Sequence, residues 1–490
     1  MKKWICALLA GCFFFVAFAP DYGWSLTVSQ EEELARKFLK AAKKQFEFID
    51  DPSVVNYVNR VGNRIVSGIP SPRFSYRFYV IKNDEYNAFA IPAGHIFVHT
   101  GLLTALESED ELVGILSHEI AHVECRHISE RFEQSKKIQV GTMAGLAAGI
   151  LLGASGAGDV ASAVGIGSMA AGQSATLAYS REHESQADQM GLSFMNQCGY
   201  SGAGLLSTMQ KLREKQWFGP EQVPSYLRTH PASEERLVQI GAWLDTQDRP
   251  IKRSGEDSLG NFQMIRARVI ALHGNPDDAL RRFKLDVDKD PSDAVSQFGY
   301  GLVLDRTNKC DEAIAHLKAA LSNRAFDPEI LKSLGIAYYN GGKYHDALST
   351  LEAATMLAKK DPEPRFYLGR TQAALDNVDA AVDIFEDLVA DWPAFAPAYY
   401  FLGETYGKLG KLGDAHFYLG RYYQIRKDNK NAVFHLEKVL NSSADDARKE
   451  QARDSLAVIR KEQAAFEKDK KSSESAKPAP SRYPRRRLGG

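Results

Sequence analysis

The sequence predicts two folds in tandem, a mostly helical α+β unit with a small sheet and then an all-α solenoid of helical hairpins. Three observations carry this. Strand-like patterning is confined to one stretch, Phe74 to His99, with helical periodicity on both sides. A helical pattern from Glu109 sets His118, Glu119 and His122 into an apolar surface of Leu112, Val113, Leu116, Ile120, Ala121 and Val123. In the second half Gly301, Gly335, Gly369 and Gly403 keep one phase, and Ala313, Ala347, Ala381 and Ala415 follow in the same register.

The chain of 490 residues has room for about three domains. Its formal net charge of −1 and the lack of a basic helical face argue against nucleic acid as a partner. Met1-Lys-Lys3, the apolar run Trp4 to Ala19 and then Pro20 have the layout of a secretory signal, residues 1–25, with Gly23 and Ser25 suited to a cut before Leu26. Lipoprotein processing at Cys12, in Leu9-Ala-Gly-Cys12, is the alternative; the apolar run continuing from Phe13 to Ala19 speaks against it. Bacterial export is expected in either case. Three cysteines then remain, Cys125, Cys198 and Cys310, which imply no disulfide framework. Cys125 reads as a small buried hydrophobe rather than a metal ligand.

Ser29-Gln-Glu-Glu32 has the form of a capping box opening a helix to about Gln45, and Asp51-Pro-Ser-Val opens a second to about Ile65. Strands follow at Tyr76 to Ile81, Ala88 to Ile91 and His95 to His99. Pro92-Ala-Gly94 breaks the last two. Its proline points to an edge strand, to which an extended peptide could add, or to an ordinary hairpin. The histidine-bearing helix is expected from Glu109 to about Phe132. Val140 to Leu177 is rich in Gly, Ala and Ser, and its two apolar pieces fall short of the roughly 18 to 20 residues that cross a bilayer. Two closely packed helices are expected there, with a lid or a membrane-touching hairpin as the alternative.

Leu317, Leu351, Phe385 and Leu419 extend the repeat register, and Ala267, Ala279, Phe283 and Pro291 form a degenerate earlier copy. This is the tetratricopeptide pattern, expected over residues 256–443, with a shifted last unit pairing the helix around Gly420 with one from near Ala432. A charged helix at 444–466 should cap the stack, and 467–490 should form a disordered basic tail. The concave face of such a stack suits a peptide or partner protein.

Positions four apart on a helix lie about 40° apart around its axis, so His118 and His122 point the same way, while Glu119 lies roughly 100° round. A catalytic zinc takes three protein ligands and keeps a fourth position open, with a carboxylate beside it to take a proton from water. A metzincin would place Gly at 125 and His at 128; this chain has Cys125 and Ile128, and His127 is one residue short. A gluzincin draws a glutamate from a later helix, followed four residues on by an aspartate that orients a ligand histidine, and Glu184-Ser-Gln-Ala-Asp188 has that form. Glu182 and His183 turn away from that face.

These two helices, the longer run Arg181 to Gly191 and the strand Asn87 to Gly94 resemble the HtpX and CAAX-prenyl-protease family of zinc metallopeptidases over about residues 28 to 250. With the repeats, the resemblance extends to its periplasmic BepA-like branch. It implies a gluzincin-type α+β domain, residues 26–255, with one zinc ion held by His118, His122 and Glu184, Glu119 as general base, and Asp188 behind a histidine. Thr229-His-Pro231 and Arg236 are similar to a further family motif. His230 is then either a fourth, inhibitory zinc ligand or, with Arg236, a stabiliser of the transition-state oxygen. Without the family His230 would read as an ordinary loop histidine.

The function this implies is a periplasmic zinc endopeptidase of misfolded or stalled outer-membrane proteins. Its repeats would recruit substrate or outer-membrane assembly machinery, with peripheral membrane contact. The alternative is a chaperone or assembly factor whose zinc site is mostly closed.

Overall fold

The computed structural model describes residues 26–130, 179–216, 224–246 and 258–475. The signal segment, the Gly/Ala-rich insert at 140–177 and the last residues of the tail, 476–490, lie outside them. The chain divides into two compact units, residues 1–286 and 287–490.

In the first unit, α1 (Val28–Gln45) corrects the expected cap. The capping box is made by Thr27 and Gln30, two residues before the Ser29 pattern: the Thr27 side chain accepts from the Gln30 N–H, and the Gln30 side chain accepts from the Thr27 N–H. Helix α2 (Pro52–Ser67) opens as expected, on an Asp51 cap with proline at its first turn. Strands β1 (Arg77–Ile81), β2 (Ala88–Ile91) and β3 (His95–His99) form a sheet in the order β1-β3-β2. β3 is parallel to β1 and antiparallel to β2, so β2 is both an edge strand of the described sheet and one arm of a hairpin. The turn between them needs positive φ at Ala93 and Gly94.

After α3 (Thr100–Ala105) comes α4 (Glu109–Glu124), capped by Ser108 and acidic in its first turn. It ends about two turns before the expected Phe132. Cys125 is its C-cap, Arg126 turns left-handed with φ 60°, and a new helical stretch begins at His127. Arg126 is held in that turn by Glu31, Nε to Oε1 at 2.8 Å, and by the Leu26 carbonyl at 2.6 Å from Nη2. A tertiary pull from α1 thus overrides a good local helix pattern.

Helices α5 (Arg181–Gln197), α6 (Ala203–Gln216), α7 (Ser225–Thr229), α8 (Glu234–Asp245), α9 (Ser258–His273) and α10 (Pro276–Lys289) follow. α5 and α6 pack on α4, and a continuous core joins α2, the sheet and these helices through Val58, Ile65, Val98, Leu116, Ile120 and Met195. α9, which carries part of the degenerate repeat copy, belongs to this unit. Its Arg268 donates to both Asp51 oxygens at 2.8 and 3.0 Å, and Arg266 to the Thr104 carbonyl at 3.0 Å.

The second unit is the expected stack of hairpins: α11 (Ala294–Arg306), α12 (Cys310–Asn323), α13 (Pro328–Asn340), α14 (Tyr344–Leu357), α15 (Pro362–Ala374), α16 (Val378–Asp391), α17 (Ala396–Lys408), α18 (Leu412–Ile425) and α19 (Asn429–Leu440). The packing explains the sequence phase. A Cβ on Gly301, Gly335, Gly369 or Gly403 would lie 2.6 to 2.8 Å from Leu317, Leu351, Phe385 or Leu419 on the next helix, so glycine and large residue are one fitted pair, repeated. Gly420 and Leu436 repeat it at 2.8 Å between α18 and α19, the shifted last unit. α20 (Asp446–Ser475) covers the end with Ala452, Leu456 and Ile459, and it stays helical past 466, through Ser475. Among the described residues no helix is long and apolar enough to cross a membrane.

Candidate metal centre

α4 delivers His118, Glu119 and His122 to the interior, each fully buried. α5 brings Glu184 and Asp188 on one face, close enough to reach them because Gly191 lets the two backbones touch: a Cβ there would meet the His118 nitrogen at 3.2 Å and the Ser117 carbonyl carbon at 3.3 Å. His230 caps α7, its N–H donating to the Tyr226 carbonyl at 2.8 Å, and α8 supplies Arg236.

His118, His122, Glu184 and His230 each turn one donor atom to a common point, and these four atoms lie within 4.8 Å of one another. Zinc ligands at about 2.0 to 2.1 Å sit roughly 3.3 to 3.4 Å apart on the edges of a tetrahedron. The separations here are similar: His118 Nε2 to His122 Nε2 3.0 Å, His118 Nε2 to Glu184 Oε2 3.5 Å, His122 Nε2 to Glu184 Oε1 3.4 Å, and His230 Nδ1 to His118 Nε2 3.3 Å and to Glu184 Oε1 3.0 Å. Two imidazoles, a carboxylate and a third imidazole converging among buried side chains fit a zinc-type ion. Cys125 is not among them; its Sγ packs on the Met190 sulfur at 3.5 Å.

The partners behind these donors are specific. Asp188 Oδ1 lies 3.0 Å from His118 Nδ1, on the side of the ring away from the other donors. Arg236 departs from one expectation. Nε and Nη2 bind the Asp188 oxygens at 2.7 and 2.8 Å, and Nη1 binds Glu184 Oε2 at 2.6 Å and the Pro231 carbonyl at 2.8 Å. All three nitrogens are engaged on carboxylates and backbone, so in this conformation the side chain positions Glu184 and Asp188 and is not free to hold a transition-state oxygen. His230 turns Nδ1 to the other three donors, while its Nε2 lies 3.6 Å from Glu119 Oε1.

Electrostatics sort the titratable groups. Burial raises the Glu119 carboxyl above the usual carboxylate range, against the pull of His230 and His118, and neither of its oxygens makes a hydrogen bond of normal geometry. Burial also works against protonating His118, but the hydrogen bonds and charges of Asp188 and Glu184 outweigh it and push that imidazole up to about 9. His122 is driven well down by burial. Burial would raise Glu184 and Asp188, yet both are held below their usual range, Glu184 by the surrounding imidazoles and Asp188 by Arg236 and His118.

Two aromatic walls were not legible beforehand. Tyr179 stacks on His122 with centroids 4.0 Å apart, and Tyr226 stacks on His230 at 4.6 Å, so both flank the donor cluster. Tyr226 lies only four residues before His230, the one local signal that could have pointed to it. Glu182 is exposed as expected, and His183 pairs with Glu130 at 3.3 Å, away from the cluster.

Residues 52–244 match peptidase family M48, and residues 271–330 and 332–396 match the tetratricopeptide repeat. Among curated relatives, the Beta-barrel assembly-enhancing protease of Escherichia coli (strain K12) is 25% identical over 400 residues, spanning 74% of this chain and 81% of the relative. That of Yersinia pestis is 26% identical over 375 residues, spanning 74% and 75%. The Mitochondrial metalloendopeptidase OMA1 of Schizosaccharomyces pombe is 26% identical over 201 residues, 41% of this chain and 56% of its own.

Proposed function

We propose, because its M48 domain followed by tetratricopeptide repeats makes this chain a metalloendopeptidase of peptidase family M48, that it is a zinc-dependent protease of the periplasm. On this reading it acts on misfolded or stalled outer-membrane proteins, and its repeats recruit substrate or assembly machinery. The observation that carries the chemistry is the convergence of His118, His122 and Glu184 beside the fully buried carboxylate of Glu119. The bacterial relatives, named for enhancing beta-barrel assembly, support a role with assembling envelope proteins. The signal-like residues 1–25 support export, with lipoprotein anchoring at Cys12 the lesser alternative.

His118, His122 and Glu184 would hold one zinc ion, which when bound supplies Lewis acidity to a peptide carbonyl and to a water. Glu119 would take the proton from a water bound there and pass it to the leaving amine; burial raises its carboxyl above the usual carboxylate range, which favours its holding a proton between the two transfers. Asp188 keeps the His118 Nδ1–H turned away from the cluster, and Arg236 fixes Asp188 and Glu184 together. His230, its Nδ1 at the fourth corner, closes the site and must swing out before substrate enters.

That closing contact also favours a second reading, an assembly factor whose protease is usually shut. Glu119→Gln decides the chemistry: it should keep zinc and lose cleavage of an unfolded protein, and cleavage at the wild-type rate would overturn the mechanism. His230→Ala should raise basal cleavage, whereas a fall would make His230 catalytic. If Glu119→Gln restores envelope integrity to a deletion strain as fully as wild type, the assembly-factor reading prevails.

A further inference from the structure

His127 is out of register for a ligand, yet it is buried, 1% exposed, and its Nδ1 lies 3.0 Å from the Nδ1 of His122. Its other nitrogen, Nε2, lies 3.0 Å from Gln186 Oε1 on α5. On a continuous helix residues five apart diverge by about 140° around the axis, so these rings could not meet. The left-handed turn at Arg126, anchored by Glu31 and Leu26 of the N-terminal segment, folds His127 back onto His122. The His183 ring then stacks on His127 with centroids 4.2 Å apart at 18°, holding its plane.

We propose that His127 is the positioning residue of the His122 ligand, accepting the His122 Nδ1–H on its own Nδ1 while it donates its Nε2–H to the Gln186 carbonyl oxygen. The inference rests on the zinc reading of the site and deepens it.

The chemistry selects one tautomer at every step. To give a metal its Nε2 lone pair, neutral His122 must carry its proton on Nδ1. That proton points at His127 Nδ1, which must therefore be bare, so the neutral His127 carries its own proton on Nε2. The group facing Nε2 must then accept, which requires the Gln186 amide to present oxygen rather than nitrogen. The opposite amide orientation would reverse the chain and leave a proton on His122 Nε2, where the ligand lone pair is needed. His118 is held the same way by the Asp188 carboxylate. The two histidine ligands thus have unlike supports, one anionic and one neutral and relayed.

Zinc affinity of the full chain, measured by competition with a chromophoric chelator, tests this without relying on activity. His127→Leu removes the acceptor and should weaken zinc binding 10- to 100-fold, the usual consequence of losing a partner behind a ligand histidine. His127→Asn places its Oδ1 near the position of the lost Nδ1 and should recover affinity to within a few-fold of wild type. A merely structural role predicts no such rescue: unfolding of the metal-free protein would be disturbed by both variants and affinity would not follow the acceptor. Leucine binding zinc within twofold of wild type, or asparagine no better than leucine, overturns the proposal. Should the leucine variant fail to fold, nitrogen NMR of histidine-labelled, zinc-loaded wild type reads the tautomer directly. A His127 proton on Nε2 supports the chain and one on Nδ1 overturns it. A wild-type chain that takes up no zinc would instead overturn the metal site itself, and this inference with it.

Discussion

Arg236 grips Asp188 through two parallel hydrogen bonds, Nε to Oδ2 at 2.7 Å and Nη2 to Oδ1 at 2.8 Å, in a pocket where both side chains are almost wholly buried. A lysine keeps the charge but cannot reproduce the fork. Removing one partner of a buried pair costs about 3 to 5 kcal/mol, because the other charge is left uncompensated. Arg236→Leu should therefore lower unfolding stability by an amount of that order and weaken zinc uptake together with cleavage, and Arg236→Lys, which keeps the charge and loses the fork, should do both to a smaller extent. A variant that loses cleavage alone, with stability and zinc binding intact, would restore the oxyanion role.

Gly191 is where the two site helices touch. A methyl group there meets backbone atoms of Ser117 and His118, which cannot rotate aside as a side chain can. Gly191→Ala should push α5 away from α4, at a cost of about 1 to 3 kcal/mol typical of overpacking. It should also weaken zinc binding, since Glu184 rides on α5. Chemical denaturation and chelator competition on the same sample would check both.

His99 sits fully buried on β3 beside the rings of Phe46 and Phe89, and burial lowers its imidazole to about 4. The unfolded imidazole binds a proton below about 6.5. Between those values the unfolded state carries more protons than the folded one, so stability is full above about 6.5 and is lost as pH falls towards 4. The loss is roughly 3 kcal/mol from this group. His99→Leu should flatten that part of the stability profile; an unchanged slope from pH 6.5 to 4 would assign it to other groups.

In the repeats, Lys332 on α13 is wholly buried with its ammonium 2.6 Å from Asp361, 3.1 Å from Glu329 and 3.2 Å from Glu363. It ties α13 to the start of α15 in the next hairpin. Lys332→Met should destabilise the repeat unit by about 3 kcal/mol or more, because the carboxylates lose the buried cation that faces them. Circular dichroism of the full chain during unfolding should show an earlier repeat transition, and an unchanged one would mean that these acids are adequately solvated.

Much of this molecule follows from short-range pattern. The helix carrying His118 and His122, the pairing of Glu184 with Asp188, the three strands and the glycine phase of the repeats were all readable. Each depends on residues within one or two turns, or on one packing motif copied along the chain. The misread cap of α1 was a choice between two nearly identical local patterns, which the backbone geometry at Thr27 resolved.

What the sequence by itself determined is the chemistry available: two histidines on one helical face, a carboxylate beside them, a later helix with two acids, and a repeated hairpin. Only the tertiary structure decided which groups meet. His230 reaches His118 across 112 positions, Arg236 turns from the cluster to the two acids, and His127 reaches His122 because Arg126 leaves the helix for Glu31. No local periodicity encodes those contacts. They arise from the burial of α4 between α5, α2 and the sheet, where each polar group taken from water must find its partner among whatever the packing brings beside it.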